Sequence, residues 1–342
     1  MYAHIVAVKG YLIMAKDKGR YITPVLLLSS LLLLLAGCAS KSASPEIKSY
    51  VDAANLHAQQ QNQQALDKLN ETVKRDEDFA IAHSLMGDIY QQMDNYDQSV
   101  FAYEKAADIN PWSFHDHYNL GKVYYITERY PLAAKEYTTA CDLKSDHLDA
   151  HVGAAQSYNK LENYDRALLY IERAEQINAN SASVRRVLGD IYESKKNYEQ
   201  AIDSYKRALE LDSNDPETMK SLAVAYLKTE RFQAARELLI SAVNLKQNFG
   251  EAHKYLGYCY LKLNEVDLAI ESYRTAIEIN QNDWDAHRGL GVAYIIKASS
   301  PDQQPDQLLR QKAIEQWNLS LRLNPDQPNK AQLQDLINKY NR

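Results

Sequence analysis

Histidines form the most regular set of chemically active side chains in the sequence. His83, His117 and His151 are 34 residues apart, and His253 and His287 fall in the same series. The nitrogen ligands of one zinc ion must all lie at about 2.0–2.1 Å from it. Residues 34 positions apart lie on different helices, and packed helices are about 8–10 Å apart. We therefore predict that these histidines fill half-buried structural positions and share no metal ion.

Two cysteines and one glycine-containing segment are the remaining candidates for chemistry. Cys141 and Cys259 belong to no C-x-x-C pair, and we predict two small buried thiols that form no disulfide with each other. Residues 289–294, Gly-Leu-Gly-Val-Ala-Tyr, lack the third glycine of a dinucleotide fingerprint and follow no predicted strand. The sequence also contains no zinc-protease, nucleophile-elbow or phosphate-loop motif. It therefore predicts neither an enzyme nor a bound cofactor.

The composition favours helices and argues against a nucleic-acid partner. The 342 residues include 25 Tyr but only 11 Gly and 9 Pro, so residues that interrupt helices are few. Residues 1–37 hold four of the 39 bases and one of the 45 acids, which leaves the rest of the chain with a net charge of −9. A nucleic-acid-binding surface would need a basic stripe instead.

Small residues recur every 34 residues along the chain. The first series is Gly87, Gly121, Ala155, Gly189, Ala223, Gly257 and Gly291, and a tyrosine follows each member three residues later. The second series is Ala65, Ser99, Ala133, Ala167, Ala201, Ala235 and Ala269. Within each half of a unit, small and large residues are three, four or seven positions apart, which places them on one face of a helix. Each unit is therefore predicted to be a pair of amphipathic helices whose backbones approach closely.

This period and its small–large pattern resemble the tetratricopeptide repeat. We place repeats at 46–79, 80–113, 114–147, 148–181, 182–215, 216–249, 250–283 and 284–327. The last repeat carries ten extra residues, which we expect in a loop at Ser299–Gln307, and residues 328–342 are predicted to form a capping helix. The resemblance implies an all-α, right-handed superhelical solenoid, because one helix pair cannot bury its apolar face without neighbours.

The resemblance also implies that the first helices line a concave groove that binds protein segments, mostly through unit positions 2, 5, 9, 12 and 13. In repeats six to eight the candidate residues form an apolar floor with five bases: Lys220, Val224, Leu227, Lys228, Lys254, Tyr258, Leu261, Lys262, Arg288, Val292, Ile295 and Ile296. In repeats two to five they are mostly polar: Ser84, Asp88, Gln91, Gln92, His115, Tyr118, Lys122, Tyr125, Asp149, Gln156, Asn159, Lys160, Arg186, Asp190 and Glu193. We predict that the C-terminal set binds an acidic amphipathic client segment. The alternative is that the bases only solvate an exposed face.

The N-terminal residues are typical of a secretion signal. Bases precede an apolar run that ends near residue 35, and the run is shorter than the roughly 20 apolar residues of a membrane span. The tetrapeptide Leu35-Ala36-Gly37-Cys38 resembles the lipobox of bacterial lipoproteins, which implies cleavage before Cys38 and acylation of that residue. Residues 1–37 would then be the signal peptide, with Met14 as the expected true start, and residues 38–45 a lipidated linker. No Asp follows Cys38, so in a Gram-negative cell we expect the periplasmic face of the outer membrane.

These features predict a membrane-anchored scaffold that binds other envelope proteins. Two narrower roles remain open, because tetratricopeptide lipoproteins include pilotins that assist type IV pilus secretins and adaptors for peptidoglycan hydrolases. The sequence does not choose among these clients.

Overall fold

The computed structural model describes residues 44–299 and 306–341, and within them the chain forms seventeen α-helices and no strand. The helices are α1 (Pro45–Ala58), α2 (Asn62–Arg75), α3 (Ala80–Gln92), α4 (Tyr96–Ile109), α5 (Phe114–Ile126), α6 (Tyr130–Leu143), α7 (Leu148–Lys160), α8 (Tyr164–Ile177), α9 (Ala182–Ser194), α10 (Tyr198–Leu211), α11 (Pro216–Lys228), α12 (Phe232–Leu245), α13 (Gly250–Lys262), α14 (Val266–Ile279), α15 (Trp284–Ala298), α16 (Gln307–Leu323) and α17 (Lys330–Tyr340). The predicted all-α repeat array is confirmed.

The helices stack in chain order. Each helix packs against the next one, and most first helices also contact the first helix of the following pair, as α9 contacts α11 and α11 contacts α13. From α3 to α15 the first helices begin 34 residues apart. Eight helix pairs followed by α17 therefore form a solenoid, and the first helices share one face of it.

Local signals fix where the helices begin and where the pairs turn. The side chains of Ser113, Asn163 and Asp283 accept hydrogen bonds from backbone N–H groups in the first turns of α5, α8 and α15. The turn inside a pair contains a residue with positive φ, and these residues again recur every 34 positions: Gln60, Asp94, Glu128, Glu162, Lys196, Glu230 and Asn264. A left-handed residue ends one helix and lets the chain reverse into the next.

The two helices of a pair meet through one small and one large side chain. A Cβ atom placed on Gly189 would lie 2.5 Å from the ring atom Cε1 of Tyr205, so the ring occupies the space of the missing side chain. An aromatic residue on the second helix is matched by glycine on the first in five pairs: Gly87/Tyr103, Gly121/Tyr137, Gly189/Tyr205, Gly257/Tyr273 and Gly291/Trp317. An aliphatic residue is matched by alanine in two pairs: Ala155/Ile171 and Ala223/Leu239.

The last repeat and the chain termini are only partly described. Residues 300–305 of the expected loop lie outside the described part of the chain, and so do residues 1–43 with the proposed signal peptide and Cys38. Gln307 was predicted in the loop but is the first residue of α16, because the side chain of Asp306 accepts a hydrogen bond from the backbone N–H of Leu309. Leu333 of α17 is buried in the core cluster that contains Trp317. Among the described helices, none has the length and apolar character needed to cross a bilayer.

Candidate functional site

The five repeated histidines stabilise the junctions between repeats. The Nε2 atom of His83 donates to the backbone oxygen of Glu77 over 3.1 Å, six residues earlier. His117, His151 and His287 make the same bond with the residue six positions before them, over 3.0–3.1 Å, and His253 bonds the backbone of Gln247. Each ring thus joins a first helix to the loop that precedes it. Within the described ranges, no group of His, Cys, Asp and Glu side chains could hold a metal ion.

The two described cysteines are buried and form no disulfide. Burial raises the pKa of each thiol, Cys141 and Cys259, to about 12. A thiol with so high a pKa is a poor nucleophile at neutral pH. The structure therefore gives these side chains a packing role.

A cavity of about 340 Å³ lies on the face of the first helices α11, α13 and α15. We call it the apolar cavity, and its lining is Val224, Leu227, Lys228, Lys254, Tyr255, Tyr258, Leu261, Tyr273, Asp285, Arg288, Gly289 and Val292. Tyr258 is 40% exposed there, whereas Leu227 is buried. The cavity therefore offers an accessible aromatic ring above an apolar floor.

Eight of the twelve predicted groove residues line this cavity, and the other four lie elsewhere. Lys220 faces a neighbouring cavity. Lys262 lies over the ring of Tyr258, with its Nζ atom 5.4 Å from the ring centre. Ile296 is exposed, outside the lining. The placement of Ile295 on the groove floor was wrong, because this side chain is 8% exposed and belongs to the core cluster between α14, α15 and α16.

Nearby acidic residues neutralise three of the five predicted bases. The Nζ atom of Lys220 lies 2.7 Å from a carboxylate oxygen of Glu251, and that of Lys254 lies 3.3 Å from Asp283 and 3.8 Å from Asp285. Arg288 is also held by Asp285, over 2.5 Å. Among the ion pairs of the described residues, Lys228 and Lys262 do not appear. The positive charge offered to a client is therefore smaller than the sequence suggested.

The prediction missed four lining residues of the apolar cavity: Tyr255, Tyr273, Asp285 and Gly289. Tyr273 reaches the cavity from a second helix, α14, because Gly257 and Gly289 leave room for its ring on both sides. Glycine at both positions is the sequence signal that could have revealed it.

A second cavity, of about 630 Å³, lies beside the first on α5, α7, α9 and α11, and we call it the polar cavity. It is lined by Tyr125, Gln156, Asn159, Lys160, Arg186, Val187, Asp190, Glu193, Ser194, Asp215, Glu217, Lys220 and Ser221. Eight of these were predicted: Lys220 as a groove base, and seven as polar groove candidates, namely Tyr125, Gln156, Asn159, Lys160, Arg186, Asp190 and Glu193. Since α11 contributes to both cavities, they form neighbouring parts of one face.

Two carboxylates in the polar cavity share one hydroxyl group. The hydroxyl of Tyr205 lies 2.8 Å from Asp190 Oδ1 and 2.9 Å from Glu193 Oε2. Burial raises the pKa of both carboxyl groups above the ordinary range, although the Tyr205 hydrogen bonds act in the opposite direction.

Comparison with known protein families identifies the repeat. A family model for the TPR repeat matches residues 189–230 and 257–295, and a model for subunit 3 of the anaphase-promoting complex, or cyclosome, matches residues 92–174. These matched segments are similar to tetratricopeptide repeats. A search of curated proteins finds no match to the sequence.

Solved structures with tetratricopeptide-type stacking resemble the chain in fold. A chain of the APC/C hetero-tetramer Cut9–Hcn1 is 17% identical with a TM-score of 0.62, and the match covers 84% of this chain and 54% of that one. A tetratricopeptide repeat protein from Parabacteroides merdae is 13% identical with a TM-score of 0.63, covering 73% and 99%. PilF of Pseudomonas aeruginosa is 20% identical with a TM-score of 0.51, covering 62% and 96%. This chain thus spans about half of the Cut9–Hcn1 chain, and at these identities the likeness concerns the fold alone.

Proposed function

We propose that this protein is a membrane-anchored scaffold that binds other proteins of the cell envelope through the apolar cavity. A tetratricopeptide-type array provides a continuous face of first helices, and such a face suits the docking of protein segments. The observation that carries the proposal is the exposed ring of Tyr258 above an apolar floor. Exposed aromatic residues next to a pocket are typical anchors of protein interfaces.

The charge around the cavity favours a client segment that combines apolar and acidic residues. Lys228 lines the cavity and Lys262 stands over Tyr258. Both are available to attract carboxylates, because neither is held by an acid among the described ion pairs. The three paired bases would add little steering, since their charges are already offset. Association is therefore expected to slow only moderately when salt is raised.

Membrane attachment is supported by the N-terminal sequence. The bases, the apolar run and Leu35-Ala36-Gly37-Cys38 follow one another in the order of a lipoprotein signal. Acylation at more than one point would give stable anchoring, whereas one chain gives marginal binding. In a Gram-negative cell this attachment would place the scaffold on the periplasmic face of the outer membrane.

The test of the binding role is affinity capture from solubilised envelopes with the wild-type chain and Tyr258→Ala. The variant should lose at least about tenfold in client recovery, since truncating an aromatic anchor costs about 2 kcal/mol or more. The charge reversal Lys228→Glu with Lys262→Glu should reduce the association rate more than the dissociation rate of the captured client.

The matched control is Phe101→Ala, which removes an exposed aromatic side chain from the second helix α4. It should leave capture unchanged, and circular dichroism should show full helicity for every variant. Equal recovery by wild type and folded Tyr258→Ala would exclude the apolar cavity as the client site.

Two narrower roles differ in the client that this capture would identify. Secretin subunits would indicate a pilotin-like role in type IV pilus assembly, and peptidoglycan hydrolases would indicate an adaptor role. Lipid attachment is tested separately with Cys38→Ala, which should remain unprocessed or leave the membrane fraction. Normal processing and fractionation of that variant would contradict the anchor.

A further inference from the structure

One polar group at the floor of the apolar cavity has no partner within the described part of the chain. Tyr273, on the second helix α14, is 3% exposed and lines the cavity. Its hydroxyl makes no hydrogen bond to a described residue, and it is not sealed inside the core as the unpartnered Nδ1 atom of His151 is. Buried polar groups are nearly always hydrogen-bonded. The hydroxyl therefore opens into the cavity with its hydrogen-bonding capacity unused.

The equivalent tyrosines of repeats two and five have partners on the groove face. The hydroxyl of Tyr103 lies 2.5 Å from Asp88, and that of Tyr205 lies 2.8 Å from Asp190. Each of these acids stands at unit position 9 of the first helix, where repeat seven has Tyr258 instead. A charged carboxylate is a much stronger acceptor than a neutral hydroxyl. Repeat seven thus supplies no carboxylate at this position, and a ligand can provide one.

Unit position 12 shows the same contrast. Repeats two and five place side-chain oxygens there, on Gln91 and Glu193, and both lie within 3.4 Å of the tyrosine hydroxyl. Repeat seven has Leu261, which lines the cavity. The ring of Tyr273 is fixed between Gly257 and Gly289, because an added Cβ atom at either glycine would overlap it. The hydroxyl is therefore held in place at the floor and cannot turn towards another partner.

The charge around the hydroxyl favours a carboxylate over a neutral acceptor. The lining holds three bases, Lys228, Lys254 and Arg288, but only one acid, Asp285. That acid is already paired, at 3.8 Å from Lys254 and 2.5 Å from Arg288. Burial raises the pKa of the Tyr273 hydroxyl above its ordinary value, so the group stays protonated and remains a donor. A donor beside positive charge matches an anionic acceptor that carries no proton of its own.

We infer that the Tyr273 hydroxyl is the polar recognition point of the apolar cavity and donates a hydrogen bond to a side-chain carboxylate of the client. The inference rests on the proposed function, because one client segment would place apolar residues against Tyr258 and an acidic side chain against the floor. It adds a specificity-determining residue from a second helix to a face built of first helices. An uncharged apolar side chain at that point would leave the hydroxyl unpaired, and sites built for a hydrogen bond reject ligands that lack it.

The test uses two tripeptide probes, with the full chain as the receptor and binding followed by ligand-observed NMR. N-acetyl-Leu-Glu-Leu-amide carries the carboxylate, and N-acetyl-Leu-norvaline-Leu-amide has a propyl side chain in its place. The carboxylate probe should bind the wild-type chain more tightly than the propyl probe. Tyr273→Phe should weaken the carboxylate probe about tenfold, because hydrogen bonds to charged groups are the stronger class, and should leave the affinity of the propyl probe unchanged.

Two further variants control for the loss of a hydroxyl group and for the position of the ring. Tyr137→Phe removes a hydroxyl that also makes no hydrogen bond to a described residue but lines neither the apolar nor the polar cavity, so both probes should bind as before. Leu261→Gln gives repeat seven the acceptor of repeat two, and it should reduce the preference for the carboxylate probe while the Tyr273 ring stays in place. Urea unfolding should show unchanged stability for Tyr273→Phe, because its hydroxyl has no partner to lose.

Equal weakening of both probes in Tyr273→Phe would overturn the inference, since it would indicate an effect of packing. Full affinity of the carboxylate probe in that variant would overturn it too, and so would failure of this probe to bind the wild-type chain.

The outcomes also separate this inference from the proposed function. Client capture that needs Tyr258 but is unchanged in Tyr273→Phe would refute the hydroxyl as part of the client interface and leave the proposed function standing. A carboxylate preference that depends on Tyr273, combined with capture that ignores Tyr258, would refute the apolar cavity as the client site and leave the carboxylate contact standing. Reduced capture in both single variants is the expected result.

Discussion

Glycine opposite an aromatic ring is a requirement of the helix pair, and the pair Gly189/Tyr205 allows it to be tested. We predict that Gly189→Ala destabilises the protein, although alanine is the better helix former. A Cβ atom at this position would lie 2.5 Å from Cε1 and 2.6 Å from Cδ1 of the Tyr205 ring. The ring cannot move away freely, because it is fully buried and its hydroxyl is bonded to Asp190 and Glu193.

The size of the effect follows from two opposing contributions. Replacing glycine by alanine inside a helix stabilises it by about 1 kcal/mol. Forcing a methyl group into a filled core costs about 1–3 kcal/mol. Gly189→Ala should therefore lower the free energy of unfolding by up to about 2 kcal/mol in the wild-type background. With Tyr205→Leu, which copies the Ala223/Leu239 pair, the same change should raise it by about 1 kcal/mol.

The assay is a double-mutant cycle measured by urea unfolding, with amide hydrogen exchange in α9 and α10 as a local readout. Tyr205→Phe serves as a third background that keeps the ring but removes the hydroxyl group. Gly189→Ala should still destabilise the Phe background, because the steric conflict involves ring carbons. The coupling between the two sites should be about 1–3 kcal/mol.

The refuting result is an equal effect of Gly189→Ala in the Tyr and Leu backgrounds. A destabilisation that disappears in the Phe background would also contradict the steric explanation, and would assign the effect to the hydroxyl hydrogen bonds. Gly250→Ala is the control for helix propensity, since its Cβ would lie 3.3 Å from the side chain of Ile279 at the helix start. It should change stability much less.

Three further predictions concern other parts of the array. Cys141 and Cys259 should react with iodoacetamide at pH 8 only after unfolding, because burial raises the pKa of both thiols to about 12; mass spectrometry that finds rapid alkylation of the folded chain would contradict their burial. His117→Gln should destabilise the protein by about 1–2 kcal/mol near pH 6, because a 2.6 Å bond to Glu136 raises the pKa of His117. This stabilisation is present below the unfolded pKa of histidine and is lost as pH rises through the raised folded pKa. The stability difference between wild type and His117→Gln should therefore shrink towards pH 9. A constant difference in urea midpoints from pH 6 to 9 would argue against an ionised pair. Ala167→Leu should cost about 1–3 kcal/mol by overpacking a fully buried position, and hydrogen exchange should locate the loosening in α6 to α10; uniform loosening along the chain would contradict nearest-neighbour stability.

The fold was predictable from the sequence because its packing rule repeats in the sequence itself. Gly87 and Gly121 mark first helices, and Ala133 and Ala167 mark second helices, at one fixed interval. Each interval contains both halves of one packing unit, so local spacing is enough to infer the helix pair. The stacking of the pairs then follows from their unburied apolar faces.

The candidate site was only partly predictable, because its bases form ion pairs with acidic residues of the next repeat. Lys220 meets Glu251 and Lys254 meets Asp285, so a base at position 5 pairs with an acid at position 2 of the next repeat. These partners are 31 positions apart in the sequence. Their ion pairing can be inferred only when the offset between stacked helices is known. Ile295 was misplaced for a different reason, because position 12 of the last repeat belongs to the buried core cluster that also contains Trp317.

The order of the helices along the stack has a consequence for how the chain folds. Each helix makes substantial contacts only with helices one or two positions away in the sequence. Native contacts therefore close short loops, and the entropy lost in forming each one is small. Chains of low contact order fold quickly, and any helix pair can serve as a nucleus. The same locality allows α17, whose substantial contacts are with α16, to open while the central repeats remain folded.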